Sequence, residues 1–163
     1  MVFTSAKTLK EFSVVQKRVL VRCDFNVPLN EDGDILDNFR IRQALPTIKY
    51  LMENKAKIIL MSHLDPQSTG VVSPKFKLEK VGEELSSCLE TQVKMAKDCI
   101  GPEAESQTNT LEPGKILLLE NLRFHKEETS GDPEFAKKLS YLGDIYVNDA
   151  FSVCHRNHAS VSL

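Results

Sequence analysis

Apolar residues along this chain follow two rhythms that take turns. Short unbroken runs of Val, Ile, Leu and Met alternate with segments where apolar positions recur every three or four residues. The runs suit strands buried on both faces, and the recurrences suit amphipathic helices. Residues 1–15 read as an irregular lead-in with a short helical turn. Arg18-Val19-Leu20-Val21 then predicts a strand over 18–24, stopped by Pro28, which has no N–H for a ladder. Residues two apart on a strand share a face, so Arg22, Asp24 and Asn26 are expected side by side near its end. Asp37 or Asn38 reads as the N-cap of a helix carrying Ile41, Leu45, Ile48, Leu51 and Met52. Pro46 lies inside that pattern and predicts a kink or a late start. A second strand is expected over 57–64, then a loop over 65–74. A helix follows with Leu78, Val81, Leu85 and Leu89, weakened by Gly82, and then a short strand over 93–96. Gly101-Pro102-Glu103 opens another helix, residues 115–120 read as a buried strand, and Asp132-Pro133-Glu134 opens the last helix. Phe135, Leu139 and Leu142 form that helix's apolar stripe, and Gly143 reads as its C-cap. A final strand over 144–148 leads into a polar segment.

Strands that alternate with helices predict parallel strands joined by right-handed crossovers. The expected fold class is α/β, a three-layer Rossmann-like open parallel sheet with helices on both faces. At 163 residues, with no linker and no repeat, the chain reads as one domain. Its 41% hydrophobic and 27% charged content fit a soluble globular protein. A net charge of -2 argues against a general nucleic-acid binder. No apolar run approaches the roughly eighteen residues of a membrane helix, and residues 1–10 lack a signal-peptide layout. The four cysteines, Cys23, Cys88, Cys99 and Cys154, form no CxxC pair, so reduced thiols in a cytoplasmic protein are expected.

Ligands of open α/β sheets bind beyond the carboxyl ends of the strands. The expected strand ends carry Arg22, Asp24 and Asn26; His63; Asn121, Arg123 and His125; and Asn148, Asp149, His155, Arg156 and His158. Arg40, in the first helical turn after the first strand, reaches the same rim. Of the six arginines, Arg22, Arg40, Arg123 and Arg156 all fall there. Arginine grips carboxylates and phosphates with paired hydrogen bonds, so the cluster points to a small ligand carrying both groups. The alternative is that each arginine pairs with a neighbouring acid such as Asp24 or Asp149 as a structural bridge. No glycine-rich nucleotide motif is present, no HExxH, and no nucleophile–base pair, because Cys154 and His155 are adjacent in sequence. His155 and His158 lack the further ligands of a zinc site, so no metal is expected there.

Several blocks resemble phosphoglycerate kinase: Arg22-Cys23-Asp24-Phe25-Asn26-Val27-Pro28, Phe39-Arg40-Ile41-Arg42, Leu60-Met61-Ser62-His63-Leu64, Leu118-Leu119-Glu120-Asn121-Leu122-Arg123-Phe124, Val147-Asn148-Asp149-Ala150-Phe151 and His155-Arg156-Asn157-His158-Ala159-Ser160. They stand in the family's order and cover essentially the whole chain. The resemblance implies a cytoplasmic, monomeric glycolytic transferase that moves a phosphoryl group between 1,3-bisphosphoglycerate and ADP, giving 3-phosphoglycerate and ATP. It implies that residues 1–163 are the N-terminal substrate-binding domain. The C-terminal domain that binds Mg-ATP or Mg-ADP would be absent, so this chain alone would be inactive and open to self-association. It also implies that Arg22, Asp24, Asn26, Arg40, His63, Arg123 and Arg156 bind the substrate, with Arg40 catalytic through stabilising charge on the transferred group.

Two blocks depart from the family. It reads Ser-His-Leu-Gly-Arg-Pro where this chain reads Ser62-His63-Leu64-Asp65-Pro66, and Gly-Thr-Ala where this chain reads Ser152-Val153-Cys154. Asp65 is expected to lower the local positive potential, and Ser152 to stiffen a backbone that glycine leaves free. The altered first block motivates a second reading, a shortened non-catalytic protein that binds a phosphorylated acid or a partner protein.

Overall fold

A computed structural model of the chain describes residues 8–65, 67 and 69–161. Among the described residues, five strands form one sheet: β1 (Arg18–Arg22), β2 (Lys57–Met61), β3 (Val93–Met95), β4 (Ile116–Leu118) and β5 (Ile145–Asn148). Their order is β3-β4-β2-β1-β5, and every pairing is parallel. The connecting helices are α1 (Phe39–Glu53), α2 (Glu79–Leu89), α3 (Pro102–Asn109), α4 (Lys126–Ser130) and α5 (Pro133–Ser140). The expected turn in the lead-in is the 3-10 helix Leu9–Glu11.

Alternating residues of each strand feed two separate cores, which is what a sheet covered on both faces requires. Val19, Val21, Ile58 and Leu60 pack with Ile41 and Ile48 of α1 and with Val81 and Leu85 of α2. Leu20, Ile59 and Leu117 pack on the other face with Ala104 of α3 and with Phe135 and Leu139 of α5. The α/β sheet with helices on both faces agrees with the sequence reading. Among the described residues, no helix is long and apolar enough to cross a membrane.

Two local expectations, the late start of α1 and the cap at Gly143, are corrected, and the Asp37 or Asn38 cap is refined. Helix α1 starts at Phe39 and continues through Pro46, so there is no late start. Asn38 takes the N-cap position, but the capping bond comes from Asp37, whose Oδ1 accepts from the Phe39 amide at 2.8 Å. Gly143 is not the C-cap of α5, which ends at Ser140 with Tyr141 in the cap position. Its role is closeness: a Cβ there would stand 2.7 Å from Leu20 Cβ and 3.2 Å from Leu20 N. Gly143→Ala is therefore expected to cost about 1–3 kcal/mol through overpacking against β1. A urea midpoint equal to the native one would contradict that.

Strands β1, β2 and β4 also stop two or three residues before the expected ends. Beyond them, side chains take over the backbone bonding. Phe25 N–H donates to Ser62 Oγ at 2.9 Å, and Ser62 Oγ donates to the Cys23 carbonyl at 2.9 Å. Asn121, 1% exposed, accepts from the Leu64 and Arg123 amides and donates to the Leu64 and Phe76 carbonyls, at 2.9–3.1 Å. These bonds tie together the loops that follow β1, β2 and β4.

Candidate functional site

The end of β1 does not display its three polar residues on one face. The strand stops at Arg22, and a tight turn follows in which Val27 N–H donates to the Phe25 carbonyl and Asn26 N–H to Asp24 Oδ1. Arg22 goes to the α4–α5 side of the sheet and is completely buried. Its Nε donates to Ser160 Oγ (2.9 Å), Nη1 to the Cys23 carbonyl (2.5 Å) and Nη2 to His63 Nδ1 (3.0 Å). Nη2 also lies 3.9 Å from Oε1 of Glu128, itself completely buried. Burial pulls the guanidinium's pKa down, and the Glu128 carboxylate opposes that pull. Arg22 thus stands behind His63, not at the surface of the rim.

His63 is 3% exposed. Burial, with Arg22 and Arg123 alongside, drops its pKa to about 3, so it is neutral at physiological pH. Arg123 is 1% exposed, yet its Nε and Nη1 have no hydrogen-bond partner, and neither does Nδ1 of the 8%-exposed His158. Buried donors without partners are rare in folded proteins, because each forfeits its hydration. Burial lowers the pKa of Arg123; Glu128 and Asp65 oppose this, while Arg22 and Arg156 reinforce it. Burial likewise lowers His158, with Arg123 and Arg156 adding to the effect. Arg156 is exposed, and its side chain has no hydrogen bond or ion pair among the described residues. The structure therefore brings Arg22, His63, Arg123, Arg156 and His158 into one electrostatic neighbourhood whose uncommitted N–H groups suit an anion.

Asp24 and Arg40 form the neighbouring mouth. Arg40 Nη1 donates to Asp24 Oδ2 at 2.5 Å, and Ser152 Oγ donates to the same oxygen at 2.6 Å. Burial pushes the Asp24 carboxyl up, but the bonds from Ser152, Arg40 and the Asn26 amide outweigh it and leave it below the usual carboxylate range. A cleft of about 310 Å³ opens here, lined by Asp24, Arg40, Gln43, Asp149, Phe151 and Ser152. Asn26 is half-buried, and its Oδ1 accepts from the Asp65 amide at 3.0 Å. The structural-bridge alternative thus describes Arg22 and Arg40, but not Arg123 or Arg156.

His125 is not part of this neighbourhood. Its Nε2 lies 2.6 Å from Asp98 Oδ1, and its ring meets Phe135 with centroids 5.2 Å apart. Asp98, Cys99 and His125 offer ligand atoms within 4.8 Å of one another, but Asp98 and His125 already satisfy each other. The Asp98 hydrogen bond raises the His125 pKa, against burial. Burial raises Asp98, but the bonds from His125 and the Cys99 amide leave it lowered. The histidine's contribution is full below its unfolded pKa and is lost as pH rises through its raised folded value. The aspartate's is full above its unfolded pKa and is lost as pH falls through its lowered folded value. His125→Ala should therefore cost most between about pH 4 and 6.5, the ordinary carboxylate and imidazole values, and less as pH rises through the raised folded value of the histidine. The partly exposed pair limits the change to under about 1 kcal/mol. Urea midpoints measured across that range check it, and a gap that widens with pH would contradict it.

The comparisons with known proteins cover nearly all of the chain. The family model for phosphoglycerate kinase matches residues 9–163. The chain belongs to the phosphoglycerate kinase family. It is 52% identical over 157 residues to the phosphoglycerate kinase of Aquifex aeolicus (strain VF5), covering 96% of this chain and 39% of that protein. It is 55% identical over 153 residues to that of Moorella thermoacetica, covering 94% and 38%. The solved phosphoglycerate kinase of Coxiella burnetii superposes with a TM-score of 0.83 at 36% identity, over 93% of this chain and 37% of that one. That of Pyrococcus horikoshii OT3 does so with 0.83 at 34%, over 93% and 38%. The chain spans about two-fifths of the length of the relatives it matches.

Membership of the phosphoglycerate kinase family puts the two departures in context. The φ of Asp65, +58°, is the left-handed conformation that favours glycine. Aspartate tolerates that conformation better than most side chains. Pro66 lies outside the described residues. Ser152, by contrast, is not in a left-handed conformation, and its hydroxyl adds a hydrogen bond to Asp24. Glu128 and Ser160 were not singled out by the sequence reading. Ser160 sits inside a quoted block, but a serine there carries no charge pattern. Glu128 hides in Lys126-Glu127-Glu128, which looks like a solvated run.

Proposed function

We propose that this chain is the phosphoglycerate-binding lobe of a phosphoglycerate kinase that moves a phosphoryl group between 1,3-bisphosphoglycerate and ADP. The observation that carries the reading is Arg123: a buried guanidinium with two unpartnered nitrogens, inside a family block and beside Arg22, Arg156 and His63. An anion at this point supplies the partners that the protein does not. Arg123 and Arg156 grip its carboxylate or phosphate, and His63 donates to it with Arg22 behind. Asp24 and Asn26 meet the glycerate end. Arg40, 46% exposed at the mouth, keeps donors beyond the one given to Asp24, and these stabilise charge on the transferred phosphoryl group. Such transfer needs positioning and electrostatic stabilisation more than a covalent nucleophile.

Mg-ATP or Mg-ADP is assigned to the part of the family's length that this chain does not span, so the isolated chain binds substrate without turning it over. A cytoplasmic, monomeric enzyme belongs to the same proposal. Calorimetric titration with 3-phosphoglycerate should show saturable binding in the millimolar range or tighter, and none with ATP. Undetectable 3-phosphoglycerate binding by a folded sample counts against the site, and saturable ATP binding counts against the lobe assignment. The second reading, a non-catalytic binder of a phosphorylated acid or a partner protein, is favoured by Asp65, whose carboxylate acts on Arg123. An in-frame second lobe downstream of the Leu163 codon separates the two.

A further inference from the structure

Glu128 is a completely buried acid that touches no part of the cleft, yet its bonds lead to His63 in a fixed direction. Its Oε2 accepts from the Ser160 amide at 2.9 Å, and its Oε1 accepts from Ser160 Oγ at 2.6 Å. The serine's one hydroxyl proton is therefore committed to Glu128, and Ser160 Oγ can only accept from Arg22 Nε, at 2.9 Å. Arg22 in turn meets His63 Nδ1 at 3.0 Å through Nη2. A guanidinium only donates, so Nδ1 must accept, and the proton of the neutral imidazole sits on Nε2. Nε2 has no hydrogen-bond partner among the described residues.

We propose that Glu128 is a positioning residue which, through Ser160 and Arg22, locks His63 as its Nε2–H tautomer and so presents a neutral donor to the bound anion. The proposal deepens the phosphoglycerate reading and rests on it for the anion's identity. The lock matters because the opposite tautomer would aim a lone pair at an anion's oxygens. A neutral donor also adds a hydrogen bond without adding another positive charge. The groups around His63 make that useful: Arg22, Arg123 and His158 on one side of the balance, Asp24 on the other. Geometry fixes the order of the relay, and burial keeps water from short-circuiting it, since Arg22, Glu128 and Ser160 are all fully enclosed.

The test reads the imidazole nitrogens of His63 in a 15N-labelled chain, identified by their loss in His63→Gln. The native protein should show an unprotonated Nδ1 and a protonated Nε2 without ligand. Glu128→Gln reverses one bond of the relay. Ser160→Ala removes its hydroxyl but leaves the backbone bond to Glu128, and so serves if the first variant fails to fold. Either variant should move both nitrogen signals toward a mixture of tautomers and weaken 3-phosphoglycerate binding about tenfold. A protonated Nδ1 in the native chain overturns the proposal. So do unchanged signals in a folded variant, or shifted signals with affinity intact, because the relay would then serve only the fold. If the native chain binds no 3-phosphoglycerate, the substrate reading fails, and the nitrogen signals decide the lock by themselves.

Discussion

Arg22→Ala should destabilise the chain by about 3–5 kcal/mol, the usual range when one partner of a buried ion pair is removed. Both Arg22 and Glu128 are completely enclosed, with Nη2 and Oε1 3.9 Å apart. The loss is larger than the Coulomb attraction alone suggests, for two reasons. Glu128 keeps its bonds from Ser160 but loses the nearby cation that makes a buried carboxylate tolerable. His63 Nδ1 and Ser160 Oγ also lose the donor that Arg22 gives them, and the Cys23 carbonyl keeps only Ser62 Oγ. These groups join the ends of β1 and β2 to the segment after β5, so the effect falls at the centre of the sheet. For a domain of this size the melting temperature should drop by on the order of 10 °C, with a matching fall in the urea midpoint. A loss below about 1 kcal/mol would mean that the pair is solvated or absent. Replacing both charges, as in Arg22→Met with Glu128→Leu, should recover part of the loss, because no lone charge then stays buried. Recovery will be incomplete, since the Ser160 amide still loses its acceptor.

The fold was legible where one physical signal dominated. Ile58-Ile59-Leu60-Met61 and Ile116-Leu117-Leu118 read as buried strands because nothing in either run competes with burial. Asp132 and Pro133 marked the start of α5, and Asp132 Oδ1 does accept from the Phe135 amide at 2.8 Å. What stayed hidden depends on partners distant in sequence. Gly143 looked like a helix cap, but its constraint is Leu20, brought beside it only by the sheet. Helix α4 spans five residues, too few for periodicity to register, and it turns Glu128 inward. The alternation argument for Arg22, Asp24 and Asn26 failed because β1 ends at Arg22, before the second of them, and the third lies inside the Phe25–Val27 turn. The cluster of arginines was visible as a rim. Its division into paired residues, Arg22 and Arg40, and uncommitted ones, Arg123 and Arg156, was visible only in part. Asp24 was visible as a bridge partner, and it pairs Arg40, but the pairing of Arg22 was hidden because Glu128 sits far from it in sequence and carries no motif.

That division sets the second expected result. Arg123→Ala should weaken 3-phosphoglycerate binding by about 1.5–3 kcal/mol, the range for a hydrogen bond to a charged group, or about 10- to 150-fold. Its effect on stability should stay within about 1 kcal/mol, unlike that of Arg22→Ala. Both side chains are buried arginines near Glu128, so residue type and burial predict equal behaviour. Their bonding separates them. Arg22 has every nitrogen engaged, so its removal strands partners inside the protein. Arg123 leaves Nε and Nη1 unmet, so its removal takes away a group that the unliganded fold holds at a loss. The packing forfeited by truncating its stem offsets that relief. Its backbone contributions, the amide to Asn121 Oδ1 and the carbonyl accepting from Gly70, survive the substitution. Affinity by calorimetry and stability by urea unfolding, measured on the same sample, check both halves. A large stability loss with unchanged affinity would make Arg123 a structural residue and move the anion elsewhere. The opposite outcome, affinity lost and stability kept, is what a binding group held in readiness for its ligand requires.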